Sequence, residues 1–500
     1  MTVAPGVTAM PLLFLVSGAA ITFLAGRAAK ARSALVTTAV ALAALGASFV
    51  TFLFLVGSCA DPGATECRIV GESTLRADGL GVLLGLLATG LGVLVIAYLY
   101  TRGEEDRPLF TTLFLLLTFG VVGLGLSDDL FNLYVFFEVM ALTSYALVAY
   151  RRREPEAVEA GMKYLVMNGA GSLVALMGIG LVYMSSSTGS LEMSVLAANA
   201  MPPNLAWLAA ALLVAGFGVK AAVVPMHTWL PDAYTAAPTG VAAMMGGVVT
   251  VGGILAMVRS LSVVHLSGTV PGELIPVPTL GLLLALLAVL TMTVGNLTAM
   301  HQKDLKRMLA YSSIAQVGYI LLGFGVGFGL TPGVLITAAF VGSFFHIVSH
   351  ALMKGGAFLA VGVLQNTFGS RDLIALRGAG RKVPLVGAAF GVFVLGLAGV
   401  PLTAGFVSKL LIVAGSAQGG LLGVFFAVAL IANSVLSLAY YVPALTGLFA
   451  EEGAPGPTPT SSRLQIAVVV TVAALVVLFG VWPDPVMYLA NAAAAALGGG

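Results

Sequence analysis

Long apolar runs alternate with short polar connections along almost the whole chain, and this pattern predicts membrane-spanning helices. Each run has about the 20 apolar residues that an α-helix needs to cross a bilayer. Their continuity argues against a β-barrel, whose strands alternate apolar and polar residues. Fourteen spans are predicted, at approximately 8–27, 34–57, 79–100, 109–127, 130–150, 161–185, 205–224, 237–260, 276–300, 307–329, 333–364, 384–415, 421–449 and 464–483.

Composition supports this interpretation, since 59% of the residues are hydrophobic and 9% are charged, against about 25% charged in soluble domains. The spans leave no loop able to form a soluble catalytic domain, so residues 1–500 are predicted to be one transmembrane domain. The apolar stretch from Met10 to Leu24 is interpreted as a retained helix, because no basic region precedes it. A net charge of +2 argues against nucleic acid, and the expected partners are lipids and other membrane helices.

Basic residues give the predicted topology an orientation. Seventeen of the 23 Lys and Arg residues fall on one side, three on the other and three inside spans. Because Lys and Arg favour the cytoplasmic side, both termini are expected outside the cytoplasm. Cys59 and Cys67 then share an extracytoplasmic loop, where a disulfide is expected and two free thiols are the alternative.

Four charged residues stand inside strongly apolar spans, which makes them functional candidates. They are Glu138, Lys220, Lys354 and Lys409. A charge at the bilayer centre costs roughly 2.5–3.5 kcal/mol on insertion scales. Desolvation disfavours the charged form of both a buried Glu and a buried Lys, so Glu138 and Lys220 could exchange a proton. The alternative is a static ion pair between spans 5 and 7.

Spans 7 and 12 contain helix breakers. Lys220 precedes Pro225 in span 7, and Lys409 follows Gly399-Val400-Pro401 in span 12. Proline removes a backbone donor, which a membrane interior tolerates only where the backbone is buried in protein or lines a wet cavity. Paired broken helices are typical of transporters built from repeated halves. A proline kink that serves packing alone is the alternative.

His346, His350 and Lys354 recur every four residues in span 11, so they lie on one helical face. Histidine titrates near neutral pH and can relay protons. The alternatives are ordinary buried hydrogen bonds, a zinc site, and a Lys354 that snorkels to the cytoplasmic edge. Phosphate-binding and dinucleotide-binding glycine motifs are missing from the sequence, so neither enzymatic activity, a cofactor nor a metal is expected of this chain.

Five ordered segments resemble a known family. They are FNLYVFFEVM, KAAVVPMHTWLPDAYTAAP, HQKDLKRMLAYSSIAQVGY, FFHIVSHALMKGGAFL and GVPLTAGFVSK. Together they resemble the proton-translocating antiporter-like subunits shared by respiratory complex I, membrane-bound hydrogenases and Mrp-type Na+/H+ antiporters. MKYLVMNGAG and GVPLTAGFVSK look most like the D-type member of the Mrp antiporter, with the related hydrogenase subunit close behind.

The resemblance implies two inverted five-helix repeats, spans 4–8 (109–260) and 9–13 (276–449), with spans 7 and 12 discontinuous. It implies that Glu138 and Lys220 form the coupling pair and that Lys409 takes the terminal proton-transfer position. His346 and His350 would belong to a central hydrophilic axis. His227 and Lys354 also fall on motif positions, with less defined roles.

One departure from the family pattern concerns span 8. Many relatives carry a Lys or His there, whereas this chain has Val251. Two interpretations stay open: water and Thr250 bridge Lys220 to the histidines, or the path is incomplete.

Three functions follow from the resemblance as expectations. The first is an ion-translocating subunit of a multisubunit Na+/H+ antiporter in the cell membrane, moving H+ and Na+. The second is a proton-pumping subunit of a membrane-bound hydrogenase or a complex I-like NADH dehydrogenase. The third, favoured only by Val251, is a scaffold without transport.

Overall fold

The computed structural model describes residues 5–29, 32–59, 75–101, 106–186, 188–197, 201–266, 277–330, 335–451 and 462–498. These residues form helices and connections, with only isolated bridges between extended residues. The helices, in chain order, are α1 (Met10–Ala28), α2 (Ser33–Cys59), α3 (Gly79–Leu99), α4 (Arg107–Leu126), α5 (Leu130–Val148), α6 (Pro155–Ser185), α7 (Met193–Ala197), α8 (Pro203–Lys220), α9 (Trp229–Ala236), α10 (Thr239–Met244), α11 (Thr250–Leu266), α12 (Val277–Ala299), α13 (Leu305–Gly327), α14 (Thr337–Phe368), α15 (Ala379–Lys382), α16 (Pro384–Ala398), α17 (Ala404–Ala417), α18 (Gly420–Leu448), α19 (Arg463–Val481) and α20 (Asp484–Gly498).

Twelve continuous helical segments among the described residues are long and apolar enough to cross a membrane. Predicted spans 7 and 12 each consist of two shorter helices, α8 with α9 and α16 with α17. Twelve continuous segments and two broken ones account for the fourteen predicted spans. The all-helical membrane fold is therefore confirmed.

Aspartates define where three of the spans begin. The side chains of Asp78, Asp129 and Asp304 accept hydrogen bonds from backbone N–H groups in the first turns of α3, α5 and α13. A carboxylate at this position satisfies donors that have no partner within the helix. These caps fix the ends of α5 and α13, and thereby the depth of the polar side chains they carry.

The break between α8 and α9 is stabilised by hydrogen bonds to its freed backbone groups. Ala222 takes a positive φ of 56° within it. Val224 N–H donates to Thr291 Oγ1 on α12 at 3.1 Å, and Trp229 Nε1 donates to the carbonyl of Val219 at 2.7 Å. The proline region is therefore buried in protein, as a non-helical backbone at membrane depth requires.

The break between α16 and α17 has a different chemistry. Gly399 adopts a φ of 89°, which favours glycine, and ends α16. Thr403 begins α17, where its hydroxyl accepts a hydrogen bond from Phe406 N–H. The carbonyls near the end of α16 thereby become available to side chains from neighbouring helices.

Two features of the helices differ from the predicted spans. The span from 237–260 contains a π-helical turn, Met245–Val249, between α10 and α11. The Ala-rich α20 packs against α3 and α14, and hydropathy does not predict it because its length is below that of a membrane span. The side chains of the predicted Cys59–Cys67 pair lie outside the described residues.

The interior of the fold is built around α14. In the apolar windows of α14 and of the α10–α11 segment all residues are buried, and 94% are buried in α13. In α2, α18 and α19 the fraction is 33%. The histidines of α14 and the polar residues of α13 therefore lie inside the protein rather than against lipid.

Candidate functional site

Glu138 lies midway along α5 and is half-buried. Its carboxylate accepts a hydrogen bond from the hydroxyl of Ser172 on α6. Ser172 Oγ is also 3.0 Å from the hydroxyl of Tyr134, one turn earlier on α5. Within the described part of the chain a hydroxyl group, rather than a cation, binds this carboxylate, and a second hydroxyl supports the first.

Lys220 is the last residue of α8, and only 1% of it is exposed. Its Nζ donates to the hydroxyl of Tyr164 at 2.6 Å and to Ser144 Oγ at 3.1 Å. The amine also lies over the rings of Tyr164 and Tyr145, 4.6 and 5.0 Å from their centroids. Lys220 also lies at the carboxyl end of α8, where the helix dipole favours a positive charge. The site thus offers hydroxyl and aromatic partners to an ammonium group, and no carboxylate of a described residue contacts it.

Glu138 and Lys220 interact electrostatically at longer range, without a direct ion pair between these two described side chains. Ser172 and Tyr164, which bind them, lie about two turns apart on α6. Because the contacts of the two charged groups converge on α6, its polar face connects them.

The other candidates of the first half have partners of their own. His227 is half-buried, and its Nδ1 is 3.3 Å from the carbonyl of Pro225. Thr250 Oγ1 hydrogen-bonds with the hydroxyl of Tyr234 and donates to the carbonyl of Met245 at 3.2 Å. None of these hydrogen bonds involves Lys220. Val251 is fully buried and adds no polar atom.

A row of aromatic rings runs from Lys220 to α14. Tyr164 stacks on Trp229 with ring centroids 4.1 Å apart. Trp229 contacts the edge of Tyr234 at 6.4 Å, and Tyr234 contacts Phe358 of α14 at 5.7 Å. The space between the Lys220 site and α14 is therefore occupied by packed rings that carry two hydroxyl groups.

His346 occupies the centre of a second polar cluster. Its Nδ1 is 2.7 Å from Ser408 Oγ on α17, and its Nε2 is 2.9 Å from Gln316 Oε1 on α13. Gln316 Nε2 donates to the carbonyl of Leu397 at 3.1 Å. Lys409 Nζ donates to the same carbonyl at 2.7 Å. The break after α16 thus brings His346 and Lys409 into one hydrogen-bonded network.

His350 lies one turn from His346 on α14 and is fully buried. The two imidazole centroids are 6.4 Å apart, with the ring planes at 28°. Neither ring nitrogen of His350 has a hydrogen-bond partner among the described residues. Buried polar groups normally have a protein or water partner, so His350 is a place where the network can extend.

Lys354 is fully buried, so it does not snorkel to the membrane edge. Its Nζ donates to Ser312 Oγ at 2.6 Å and to the carbonyl of Leu309 at 2.9 Å. Ser312 also hydrogen-bonds with the hydroxyl of Tyr441 on α18. The lysine therefore belongs to a buried hydroxyl cluster in the second half.

Arg259 is a further buried charge, although its sequence position is close to a predicted loop. It lies within α11 and forms an ion pair with Asp78 at 2.7 Å. A second guanidinium nitrogen donates to the carbonyl of Gly125 at 2.8 Å. The pair connects α11 to the start of α3 and the end of α4.

Charged side chains surround a cavity of about 550 Å³ between the start of α6, the end of α9 and the start of α13. Lys306 Nζ donates to the carbonyl of Thr235 at 3.2 Å and to that of Ala237. Arg371 also donates to the carbonyl of Thr235, at 2.9 Å. Basic residues from the second half thus bind the carboxyl end of α9.

Comparison with known proteins agrees with this arrangement of broken helices and buried charges. Residues 127–437 match the family described as "NADH:quinone oxidoreductase/Mrp antiporter, TM". The chain belongs to this family. Relatives include F(420)H(2) dehydrogenase subunit N of Methanosarcina mazei, 33% identical over 91% of this chain and 92% of the relative. NADH-quinone oxidoreductase subunit N of Desulforudis audaxviator is 38% identical over 77% of this chain and 74% of the relative.

Solved structures similar to this family member come from multisubunit complexes. A chain of the membrane-bound sulfane sulfur reductase, an archaeal respiratory membrane complex, has a TM-score of 0.86 and 29% identity, covering 98% of this chain and 97% of that one. A chain of the Mrp complex from Dietzia sp. has a TM-score of 0.86 and 25% identity, covering 99% and 98%. The chain is thus a membrane subunit of the antiporter-like kind, whereas the expected likeness to the D-type member of Mrp antiporters is not decided by these names.

Several residues that contact the buried charged groups were not among the site residues predicted from the sequence. Tyr164 and Ser172 bind Lys220 and Glu138, and Gln316 binds His346. All three are polar residues on apolar helices. Tyr164 and Gln316 also lie within the quoted segments MKYLVMNGAG and HQKDLKRMLAYSSIAQVGY. An inventory of polar residues in the spans, and not only of charged ones, could have identified them.

Proposed function

We propose that this chain is a proton-translocating membrane subunit of a redox-driven, multisubunit respiratory complex. Its relatives are named mostly as NADH-quinone oxidoreductase subunit N, which favours this function over sodium/proton antiport. In this proposal electron transfer takes place in partner subunits, and this chain moves protons. The complex resides in the cell membrane, with both termini of the chain on the extracytoplasmic side.

The observation that carries the proposal is the set of buried, hydrogen-bonded titratable groups in both halves. Glu138 and Lys220 are linked through α6 in the first half. His346 and Lys409 are linked through Gln316 and the carbonyl of Leu397 in the second. Ionisable residues inside a membrane are costly and mark ion pathways.

In the proposed mechanism one proton passes from the Glu138 carboxyl group to the neutral Lys220 amine. The resulting ammonium is stabilised by Tyr164, Ser144 and the end of α8. A charge on Lys220 disfavours a like charge further along the axis, so it biases the second half toward releasing a proton from Lys409. His350, with both nitrogens lacking partners among the described residues, is the proposed point where water connects the two halves.

The test uses membrane vesicles containing the complex and its partner subunits, with a pH-sensitive dye reporting proton movement. Glu138→Gln and Lys220→Met are expected to abolish proton uptake driven by the electron donor NADH, because each removes a titratable group. Thr118→Val is the matched control, since Thr118 is buried and its hydroxyl donates within its own helix, to the carbonyl of Phe114. Wild-type proton uptake in both site variants would refute the proposal.

A second candidate is a Na+/H+ antiporter subunit of the Mrp type, moving Na+ as well as H+. It is favoured by the similarity to the Mrp complex structure. The same vesicles discriminate between the two when NADH and a Na+ gradient are applied separately. Proton movement that follows Na+ alone, and is lost in Glu138→Gln, would favour the antiporter.

A further inference from the structure

Three polar residues follow one another at four-residue spacing on α6: Tyr164, Asn168 and Ser172. They are 0%, 2% and 3% exposed. This spacing places them on one face, with about 6 Å of rise between successive residues. The outer two bind Lys220 and Glu138. Asn168 therefore stands between the contacts of the two charged groups.

The carboxamide of Asn168 has no hydrogen-bond partner among the described residues, on either Oδ1 or Nδ2. Such a group offers two donors and an acceptor. Buried polar groups normally have protein or water partners, and a buried water typically makes about three hydrogen bonds to otherwise unsatisfied groups. The unsatisfied carboxamide of Asn168, flanked by the hydroxyl groups of Tyr164 and Ser172, provides the polar partners that such a water needs.

Close packing fixes this face against α8. A Cβ on Gly171 would lie 2.7 Å from Val219, the neighbour of Lys220, so α6 approaches the end of α8 closely at this level. On the other side, Ser144 of α5 donates to the Tyr164 hydroxyl at 2.9 Å. Asn168 is thus a buried residue between positions of α6 that contact α5 and α8, the two helices that carry Glu138 and Lys220.

We infer that Asn168 is a positioning residue that orders water between Ser172 and Tyr164, and so closes the proton route from Glu138 to Lys220. The inference rests on the proposed function. One proton leaves the Glu138 carboxyl group and one arrives at the neutral Lys220 amine, which yields a carboxylate and an ammonium. Each water or hydroxyl between them accepts one proton and gives one up, and Asn168 keeps both amide protons.

The test compares Asn168→Leu and Asn168→Ser in the complex with its partner subunits. Leucine keeps the volume and removes every hydrogen-bonding atom, whereas serine keeps a hydroxyl and leaves room for another water. Proton uptake by vesicles is measured beside the yield of assembled complex, with Thr118→Val as control. Asn168→Leu is expected to slow proton uptake about tenfold, which is less than the roughly 10²–10⁴-fold that a group transferring the proton itself contributes. Asn168→Ser is expected to restore most of the rate.

Infrared spectroscopy supplies a readout that a packing role would not change. The carboxyl stretch assigned to Glu138, by its loss in Glu138→Gln, should shift in Asn168→Leu and return toward its wild-type position in Asn168→Ser. Wild-type proton uptake in Asn168→Leu, or equal loss in both Asn168 variants, would overturn the inference. If Glu138→Gln and Lys220→Met also retain full proton uptake, the proposed function fails instead.

Discussion

Gln316 is a neutral residue that connects two titratable residues, His346 and Lys409, through hydrogen bonds. Its carboxamide oxygen faces His346 Nε2, and its nitrogen donates to the Leu397 carbonyl that Lys409 also binds. Because the carboxamide has a fixed donor side and acceptor side, its orientation selects the tautomer in which His346 Nε2 carries a proton. Gln316 thus determines the tautomer of the His346 imidazole without itself gaining or losing a proton.

Gln316→Leu should therefore slow proton uptake while the complex still assembles. The substitution leaves His346 Nε2 buried without its partner, which costs about 1–3 kcal/mol and frees the ring to rotate. Vesicle proton uptake and the yield of assembled complex are the measurements. Gln302→Leu is the matched control, since Gln302 bonds to the carbonyl of Thr298 near the end of α12 and takes no part in the network of His346 and Lys409 described above. Equal rates in wild type and Gln316→Leu would contradict this role.

At the scale of helices, Arg259 and Asp78 join elements far apart in the chain. The side chains of the pair are 6% and 8% exposed, and Asp78 also caps α3 by accepting from Gly81 N–H at 2.8 Å. A buried ion pair adds little net stability, but removal of one partner leaves a costly buried charge. Its contribution is to fix α11 against α3 and α4.

Arg259→Met is expected to destabilise the protein by about 3–5 kcal/mol, because it leaves the Asp78 carboxylate buried without its cation. Adding Asp78→Asn should recover part of this loss, since asparagine still caps a helix. Thermal unfolding of the purified complex measures both effects. Arg27→Gln is the control, because Arg27 pairs with Asp106 at 3.5 Å with both side chains about half exposed, where pairing contributes little. An unchanged unfolding temperature in Arg259→Met would contradict the expectation.

Hydropathy and proline positions predicted the helices well, because a membrane span needs a long apolar run and because an interrupted helix exposes backbone groups that lipid cannot satisfy. They could not predict α20, which is too short to span, or the π-helical turn at Met245–Val249. Charge inside an apolar span marked Glu138, Lys220 and Lys409 as candidates, one residue at a time. The groups that connect them, such as Tyr164 and Gln316, depend on which helices adjoin, and that is decided by tertiary packing rather than by local pattern.

In the whole molecule, the two halves meet where the second half binds the broken helix of the first. Val224 N–H, inside the break, donates to Thr291 of α12. At the carboxyl end of α9, the carbonyls of Thr235 and Ala237 accept from Lys306 of α13. Because α9 directly follows the break after Lys220, a shift of α9 would change the contacts of both Lys220 and Lys306.

Lys306→Met is expected to reduce proton uptake more than complex assembly. The substitution keeps the apolar stem of Lys306, which is 4% exposed, but leaves the Ala237 carbonyl without its charged donor, whereas the Thr235 carbonyl keeps Arg371. Charge-assisted hydrogen bonds contribute about 1.5–3 kcal/mol, so α9 should loosen without the fold being lost. Lys303→Met is the matched control, because Lys303 is exposed and lies three residues earlier, in the connection that precedes α13.

The decisive measurement is a double-mutant comparison. If α9 transmits the protonation state of Lys220 to the second half, Lys306→Met and Gln316→Leu act on one process. The fold-reduction of proton uptake in the combined variant should then be smaller than the product of the two separate fold-reductions. Fully multiplicative loss would mean that the two residues act independently, and the end of α9 would then be an anchor rather than part of the coupling between the halves.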